Sequence, residues 1–291
     1  MTTLQPITDA ELETLKGRTI LITGGASGIG RALAVLAHGA GANVGVVDVD
    51  KEAGQLLAAE LKNRVCFTVA DVSNWDSLLA AFETIYKAFG SLDVVYANAG
   101  INSFDNLLDE ELDEAGRLKA PMMKNIEINL HGPLLTTKAA VHFFQKQGGQ
   151  RKCQLVITGS AASLIDCPPL YMYCSAKAGA LGLMRGLRTK LPEKGITVNL
   201  IAPWMTVSPM LPQWIRDLWG DLPANKPEGV ARALLIPAVR HDLNGRTLWV
   251  AGNDAIELEQ GLHDTQPQWI GQELSNAVDE GQKRMGIPLL F

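Results

Sequence analysis

Short, wholly apolar runs alternate with helix-like stretches along most of this chain, and that alternation leaves few folds open. Residues 18–23 (RTILIT), 43–48 (NVGVVD), 65–70 (VCFTVA), 92–97 (LDVVYA), 153–157 (CQLVI), 196–202 (ITVNLIA) and 247–250 (TLWV) each read as a strand that is apolar on both faces. Between them lie stretches of helical length: RALAVLAHGAG after the first run, then 51–62, 75–89, a long one over about 122–147, one around Tyr173, and 227–240. A strand buried on both faces needs helices above and below it, and parallel neighbours need a crossover that a helix supplies. The pattern therefore predicts an α/β fold, a single doubly wound domain around a seven-stranded parallel sheet. Its core is expected over about residues 16–252, with a C-terminal extension over 253–291. A charged excursion over 102–119 interrupts the alternation, and no internal repeat does.

Composition narrows the function classes. With 291 residues, 47% hydrophobic residues and a net charge of -5, the chain can bury a large core and carries no basic run. Nucleic acid and anionic membrane surfaces are thereby excluded as main partners. The first residues lack the basic and apolar regions of a signal peptide, and no apolar run is long enough to span a bilayer. The four cysteines (Cys66, Cys153, Cys167, Cys174) form no CxxC pair, which suits a reducing compartment, and a cytoplasmic location is expected. The five histidines are scattered, so no metal site is expected.

Two constellations carry chemistry. The first is TGGASGIG, Thr23 to Gly30, between the first strand and first helix. Gly24, Gly28 and Gly30 let backbone approach a pyrophosphate whose charge the helix N-terminus favours, the arrangement of a Rossmann dinucleotide site. Asp48 ends the second strand, eighteen residues after Gly30, where its carboxylate can accept from adenosine ribose hydroxyls. The same charge repels a 2′-phosphate, and neither Ser27 nor Val49 offers a compensating cation, so NAD is expected over NADP. Asp71 sits at a similar strand end, where a turn or helix cap is the simpler reading.

The second constellation is GSAASLIDCPPLYMYCSAK, Gly159 to Lys177. Tyr173 and Lys177 are four residues apart and share one face of a helix, while Ser160 follows the apolar run 153–157. A hydroxyl, a phenol and an ammonium can therefore meet in one cleft. Bringing a phenol from its usual pKa to near neutrality takes roughly 4 kcal/mol, which a neighbouring ammonium can help supply. Taken alone, Tyr-x-x-x-Lys is more often packing plus a solvated charge.

Together these motifs resemble the short-chain dehydrogenase/reductase family over about residues 16–252. The resemblance rests on TGxxxGIG (Thr23 to Gly30), NAG (Asn98 to Gly100), Asn129 within Asn-Leu-His-Gly, and Ser160, Tyr173 and Lys177. It implies that Tyr173 exchanges the substrate hydroxyl proton, Ser160 binds the substrate oxygen, Lys177 binds the nicotinamide ribose and lowers the tyrosine pKa, and Asn129 holds a relay water. It further places Ser27, Ile29, Asp71, Val72, Asn98, Ala99, Gly100, Pro203, Thr206 and Ser208 along the cofactor. A homodimer or homotetramer through the long helices is the family expectation.

The departures are equally informative. Where the family has Pro-Gly after the sixth strand, this chain has Pro203-Trp204, and Ser208 stands at the family's threonine, with Thr206 two residues earlier. Trp204 and the tail resemble the hydroxyprostaglandin-dehydrogenase-like subgroup, including fungal secondary-metabolism dehydrogenases. The segment 204–223 is expected as a substrate lid, with Trp204, Met210 and Trp214 facing an apolar, possibly polycyclic substrate. The expected activity is NAD(H)-dependent interconversion of a secondary alcohol and a ketone. A redox-coupled cyclisation or rearrangement in specialised metabolism, or a non-catalytic dinucleotide sensor or scaffold, are the competing readings.

Overall fold

The computed structural model describes residues 2–103, 105–148 and 151–288. In chain order its elements are β1 (Thr2–Thr3), α1 (Asp9–Glu13), β2 (Thr19–Thr23), α2 (Gly28–Gly39), β3 (Asn43–Asp48), α3 (Lys51–Leu61), β4 (Val65–Val69), α4 (Trp75–Phe89) and β5 (Val94–Ala97). Next come α5 (Lys124–Ile126), a π-helical turn Glu127–His131, α6 (Gly132–Lys146), β6 (Cys153–Thr158), α7 (Tyr171–Leu187), β7 (Ile196–Pro203) and α8 (Gln213–Trp219). The chain closes with α9 (Pro227–Val239), β8 (Thr247–Ala251), β9 (Asp254–Glu257), α10 (Glu259–Asp264), α11 (Gln266–Ile270) and α12 (Gln272–Arg284). None of the described helices is long and apolar enough to cross a membrane.

Alternation along the strands creates two cores, one on each face of the sheet. On β2, Ile20 and Ile22 join Leu33, Ala34 and Ala37 of α2 and Val230, Leu234 and Leu235 of α9. Leu21, between them, points to the opposite face with Phe82 of α4, Phe143 of α6 and Met184 of α7. Each such side chain, fully withdrawn from water, contributes about 1.5–3 kcal/mol. The period of two in the strands, set against helices on both faces, fixes the register of the whole sheet.

The strands run in the order β1-β9-β8-β7-β6-β5-β2-β3-β4. The expected seven parallel strands are present as β2 to β8, but among the described residues the sheet has nine strands. β9 returns antiparallel beside β8, with Trp249 opposite Ile256, and β1 adds antiparallel to β9. The run 247–250 is therefore not the last strand, and the expected extension begins by completing the sheet. The tight turn Gly252-Asn253, both at positive φ, makes that return. Residues 289–291 of the extension lie outside the described residues.

The extension is also anchored beyond the sheet. Glu259, at the start of α10, is buried, and its carboxylate accepts from Arg185 (2.9 Å), Arg188 (2.8 Å) and the Thr247 hydroxyl (2.7 Å). Burial alone raises its pKa, but the bonds from Arg185 and Thr247 outweigh it and hold the carboxyl below its ordinary value. Both arginines lie at or just past the C-terminal end of α7, so the tail is tied to the helix that carries Tyr173 and Lys177.

Order reverses between β2 and β5: from β2 the chain goes outward to β3 and β4, then crosses back to β5. The loops leaving these strands diverge there and open a crevice at the carboxyl end of the sheet. The chemistry-bearing residues gather at that edge.

Candidate active site

A cleft of about 490 Å³ runs along the carboxyl ends of β2 to β7. Every residue singled out in the sequence borders it except Trp214, which borders a smaller side pocket of about 90 Å³. Gly24, Ser27, Gly28, Ile29 and Gly30 form one wall, Asp48 follows β3, Asp71 and Val72 follow β4, and Asn98, Ala99 and Gly100 follow β5. Asn129, Ser160, Tyr173 and Lys177 form the far end, with Pro203, Trp204, Thr206, Ser208 and Met210 over it.

At the glycine turn, Gly30 is there for closeness. A Cβ on it would lie 2.0 Å from the Gly24 carbonyl oxygen and 2.7 Å from the Asn98 amide nitrogen. Ser27 is the N-cap of α2 and makes no side-chain cap bond, so the first N–H groups of a twelve-residue helix open onto the cleft. Asp48 is half-buried, and one carboxylate oxygen accepts from the Ala26 N–H at 2.9 Å while the other accepts from the Asp50 N–H at 3.1 Å. Asp48 thus braces the turn while bordering the cleft. Uncapped helix N–H groups, a close-packed glycine turn and a carboxylate at the next strand end fit a dinucleotide.

Two expected cofactor residues also make bonds within the protein: the whole side-chain amide of Asn98 and one carboxylate oxygen, Oδ1, of Asp71. Asn98 donates through Nδ2 to the Thr23 carbonyl (3.0 Å) and the Gly24 carbonyl (3.2 Å), and accepts from the Thr158 hydroxyl (3.0 Å). Its side chain therefore stitches β2, β5 and β6 together, leaving backbone at the cleft. Asp71 accepts from both the N–H (2.8 Å) and hydroxyl (2.6 Å) of Ser73, which hold its carboxyl below the ordinary range. That is the turn reading given to it from sequence.

At the far end, Ser160 caps a short 3₁₀ turn, Ala161–Ser163, its hydroxyl accepting from the Ala162 N–H at 3.1 Å. Ser163 donates to the Lys177 carbonyl at 2.8 Å, which ties the second turn of α7 to that 3₁₀ turn. The Lys177 ammonium is buried, donates to the Thr158 carbonyl at 2.9 Å, and lies 5.7 Å from the Tyr173 ring centroid. Burial pushes its pKa down to about 8. Burial likewise pushes the Tyr173 phenol above its ordinary value, with a hydrogen bond from Ser160 opposing. The lowered phenol pKa that the resemblance implies is therefore not a property of these side chains by themselves. Desolvation of the phenolate outweighs the help they give.

Asn129 is wholly buried within the π turn that interrupts the expected continuous helix over 122–147. Its Oδ1 accepts from the Ile101 N–H (3.1 Å) and its Nδ2 donates to the Ile101 carbonyl (2.9 Å). The wider turn moves this amide against Gly100, where a Cβ would meet Oδ1 at 2.7 Å. Helical sequence patterning does not reveal such a turn.

Trp204 is half-buried. Its ring stacks on Trp249 of β8 (centroids 6.0 Å apart) and meets Trp219 of α8 edge-on (5.7 Å). One indole thus joins the sheet, the segment above it and the cleft wall. Substitution by Ala is expected to leave a folded protein that still binds a dinucleotide but has a raised KM for its substrate. A half-buried ring should cost less than the roughly 3–5 kcal/mol of a fully buried one. Steady-state kinetics with a melting curve checks this, and unchanged KM in a strongly destabilised variant would make Trp204 a packing residue only.

Sequence reasoning missed Asn225. It is fully buried, donates to the Val250 carbonyl (2.8 Å), accepts from the Asn253 N–H (2.8 Å), and gives its own N–H to the Met205 carbonyl (2.7 Å). It fastens the segment after β7 to the β8–β9 turn. Thr206 is part of the same knot, its hydroxyl donating to the Trp204 carbonyl at 2.8 Å. Arg216 of α8 donates to the Ser208 carbonyl (2.6 Å) and the Leu211 carbonyl (3.2 Å) and so folds α8 back onto that segment. A lone Asn between Ala and Lys carries no sequence signal for such a role.

Known proteins agree with this geometry. The family model described as short chain dehydrogenase matches residues 18–219. A short-chain dehydrogenase/reductase of Penicillium roqueforti is 33% identical, the match covering 93% of this chain and 85% of that one. The 5'-hydroxyaverantin dehydrogenase of Dothistroma septosporum is 31% identical, with 92% and 94% covered. Among solved structures, 3-ketoacyl-(acyl-carrier-protein) reductase from Brucella melitensis, complexed with NADH, superposes with a TM-score of 0.72 at 25% identity, covering 82% of this chain and 98% of that one. A glycine turn, a Ser-Tyr-Lys set on one cleft and these matches have one common explanation: the chain belongs to the short-chain dehydrogenase/reductase family.

Proposed function

We propose that this protein is an NAD(H)-dependent dehydrogenase that interconverts a secondary alcohol and a ketone on an apolar metabolite. The observation that carries the reading is the convergence of Ser160, Tyr173 and Lys177 on the cleft that the glycine turn opens onto. When bound, the nicotinamide supplies the chemistry of hydride exchange, and the chain's own groups do the rest. As phenolate, Tyr173 takes the proton from an alcohol oxygen; as phenol, it gives a proton to the ketone oxygen in the reverse direction. Ser160 hydrogen-bonds that same oxygen and keeps it beside the phenol. Lys177 provides positive charge near the ring and hydroxyl-binding capacity at the cofactor end. Asn129 holds the Ile101 backbone, and with it the cleft floor beside Lys177. The apolar cover, including Met205, Met210, Leu211 and Ile215, excludes water and favours a neutral, ring-bearing substrate. The Dothistroma relative's name, 5'-hydroxyaverantin dehydrogenase, supports dehydrogenation of a hydroxylated metabolite.

Preference for NAD rests on Asp48. NADH is expected to bind more tightly than NADPH by about 30- to 150-fold, the size of one charge contact worth 2–3 kcal/mol. Asp48→Asn keeps an acceptor for the Ala26 N–H but removes the charge, and should narrow that gap mainly by tightening NADPH. Fluorescence titration of both reduced cofactors measures it, and equal affinities in the unaltered protein would remove Asp48 as the discriminator.

The four free cysteines suit a reducing compartment, and we place the protein in the cytoplasm. Exposed Trp75 on α4 and Leu134 on α6 suit assembly as a homodimer or homotetramer through those helices.

A further inference from the structure

The segment after β7 covers the cleft, and a residue that does not border the cleft holds the shape of that cover. Ser208, Pro209, Met210 and Leu211 form an inner limb along the cleft. This limb lies across the glycine turn: a Cβ placed on Gly28 would be 3.8 Å from the Ser208 Cβ and 3.9 Å from the Pro209 Cδ. A dinucleotide with its pyrophosphate at that turn therefore has the limb beside it. The outer limb is α8, which has no buried residue and exposes Trp214 and Leu218.

The base of the cover is fixed to the body of the fold. The Asn225 N–H donates to the Met205 carbonyl at 2.7 Å, and the Val207 N–H donates to the Asn225 carbonyl at 2.9 Å. Beyond that base, Arg216 joins the two limbs. Its Nη2 donates to the Ser208 carbonyl at 2.6 Å and its Nε to the Leu211 carbonyl at 3.2 Å. The Leu211 N–H also donates to the Ser208 carbonyl, at 3.0 Å, so one guanidinium grips both ends of a turn. A planar fork with a permanent charge holds two carbonyls in one relative orientation, which a flexible ammonium does not. Both bonds lie within the chain and need no ligand atom, so they form whether or not a dinucleotide is bound. Pro212 precedes α8 and Gly220, at φ 62°, ends it, bounds that let the helix move as a unit once Arg216 lets go.

We infer that Arg216 is the latch of this cover: it holds the inner limb over the glycine turn and so sets how fast a dinucleotide enters and leaves. It acts through Ser208 to Leu211 and is a positioning residue. The inference rests on the dinucleotide reading of the cleft and does not require turnover. A gate slows passage in both directions, so losing the latch speeds entry and release together and changes affinity less than either rate.

Stopped-flow fluorescence of NADH with the full chain tests this. Mixing with NADH gives the entry rate, and displacement by excess NAD gives the release rate. Arg216→Ala is expected to raise both about tenfold while the Kd changes less than about threefold. Arg216→Lys keeps the charge but not the fork, and should fall between. Gln213→Ala removes the 2.8 Å bond from Gln213 to Asp217 on the same helix without touching the inner limb, and should leave both rates unaltered. Because α8 has no buried residue, melting temperatures should barely move. A residue that is merely structural would lower the melting temperature and leave the rates alone. Unchanged rates in Arg216→Ala, faster release with unchanged entry, or an equal effect in Gln213→Ala overturns the latch. Turnover of secondary alcohols separates the two claims. Rates that respond to Arg216 without turnover of any alcohol keep the latch and sink the dehydrogenase, turnover with unresponsive rates does the reverse, and a folded protein that binds no NADH overturns both.

Discussion

Tyr173→Phe is expected to lower turnover by about 10²- to 10⁴-fold while leaving dinucleotide affinity nearly unchanged. The substitution removes one oxygen and keeps the ring, so packing of α7 against the turn at Ser160 survives. The size follows from the role: without the phenol, the substrate oxygen has only the Ser160 hydroxyl, whose pKa is far too high for it to be deprotonated and so to accept the alcohol proton. The pH dependence should be informative as well. Burial holds the phenol above its ordinary value, so alcohol oxidation, which needs the deprotonated form, should rise toward alkaline pH. That rising limb should vanish in Tyr173→Phe. Initial rates of the unaltered and variant proteins across a pH series measure both effects.

Lys177→Met should separate activity from stability. Turnover and dinucleotide affinity are both expected to fall, since one ammonium serves the cofactor end and the phenol. Stability at neutral pH is expected to rise. The lysine pKa drops from 10.5 to about 8 in the folded chain because burial penalises the charge. Below about pH 8 the group is protonated in both states, and the folded chain carries the full penalty. Between about 8 and 10.5 the unfolded chain binds more protons, so stability of the unaltered protein climbs with pH. The penalty is roughly 3 kcal/mol at neutral pH, and the lost bond to the Thr158 carbonyl offsets part of the gain from removing it. A net gain of on the order of 1 kcal/mol is left at pH 7, fading as the pH approaches the unfolded value. Denaturant unfolding of both proteins at neutral and alkaline pH reads this directly. A variant less stable at both would mean that Lys177 is a structural residue first.

The parts of this site that were legible in the sequence are those whose chemistry depends on local spacing. Tyr173 and Lys177 share a helix face because they are four residues apart, and the glycine turn is recognisable because a strand ends and a helix begins around it. Apolar runs told the parallel strands from their crossovers for the same reason. What stayed hidden depends on contacts distant in sequence or on small changes in helical pitch. The π turn at Asn129 shifts an amide onto the Ile101 backbone without altering the apolar pattern of its helix. β9 and β1 are short strands at one end of the sheet: β9 is paired to β8 by the Gly252-Asn253 turn, and β1 to β9 by a contact across almost the whole sequence. Asn225 is a single amide in an unremarked loop, and only the fold shows that it ties down the segment after β7. Trp204 could be placed beside the cofactor end from sequence, but its stacking on Trp249 and Trp219 brings together three positions spread over 46 residues. Asp48 was readable as a ribose acceptor, whereas its bond to the Ala26 N–H, which braces the turn, was not.

The most direct measurement of the central claim is formation of reduced nicotinamide from NAD and a panel of bicyclic secondary alcohols, with the ketone product identified by mass and Tyr173→Phe run alongside. The account predicts ketone and reduced cofactor in equal amounts, at a rate at least about 100-fold lower in the variant. Equal rates in the two proteins would contradict it, as would the absence of ketone from every alcohol when the protein demonstrably binds NAD.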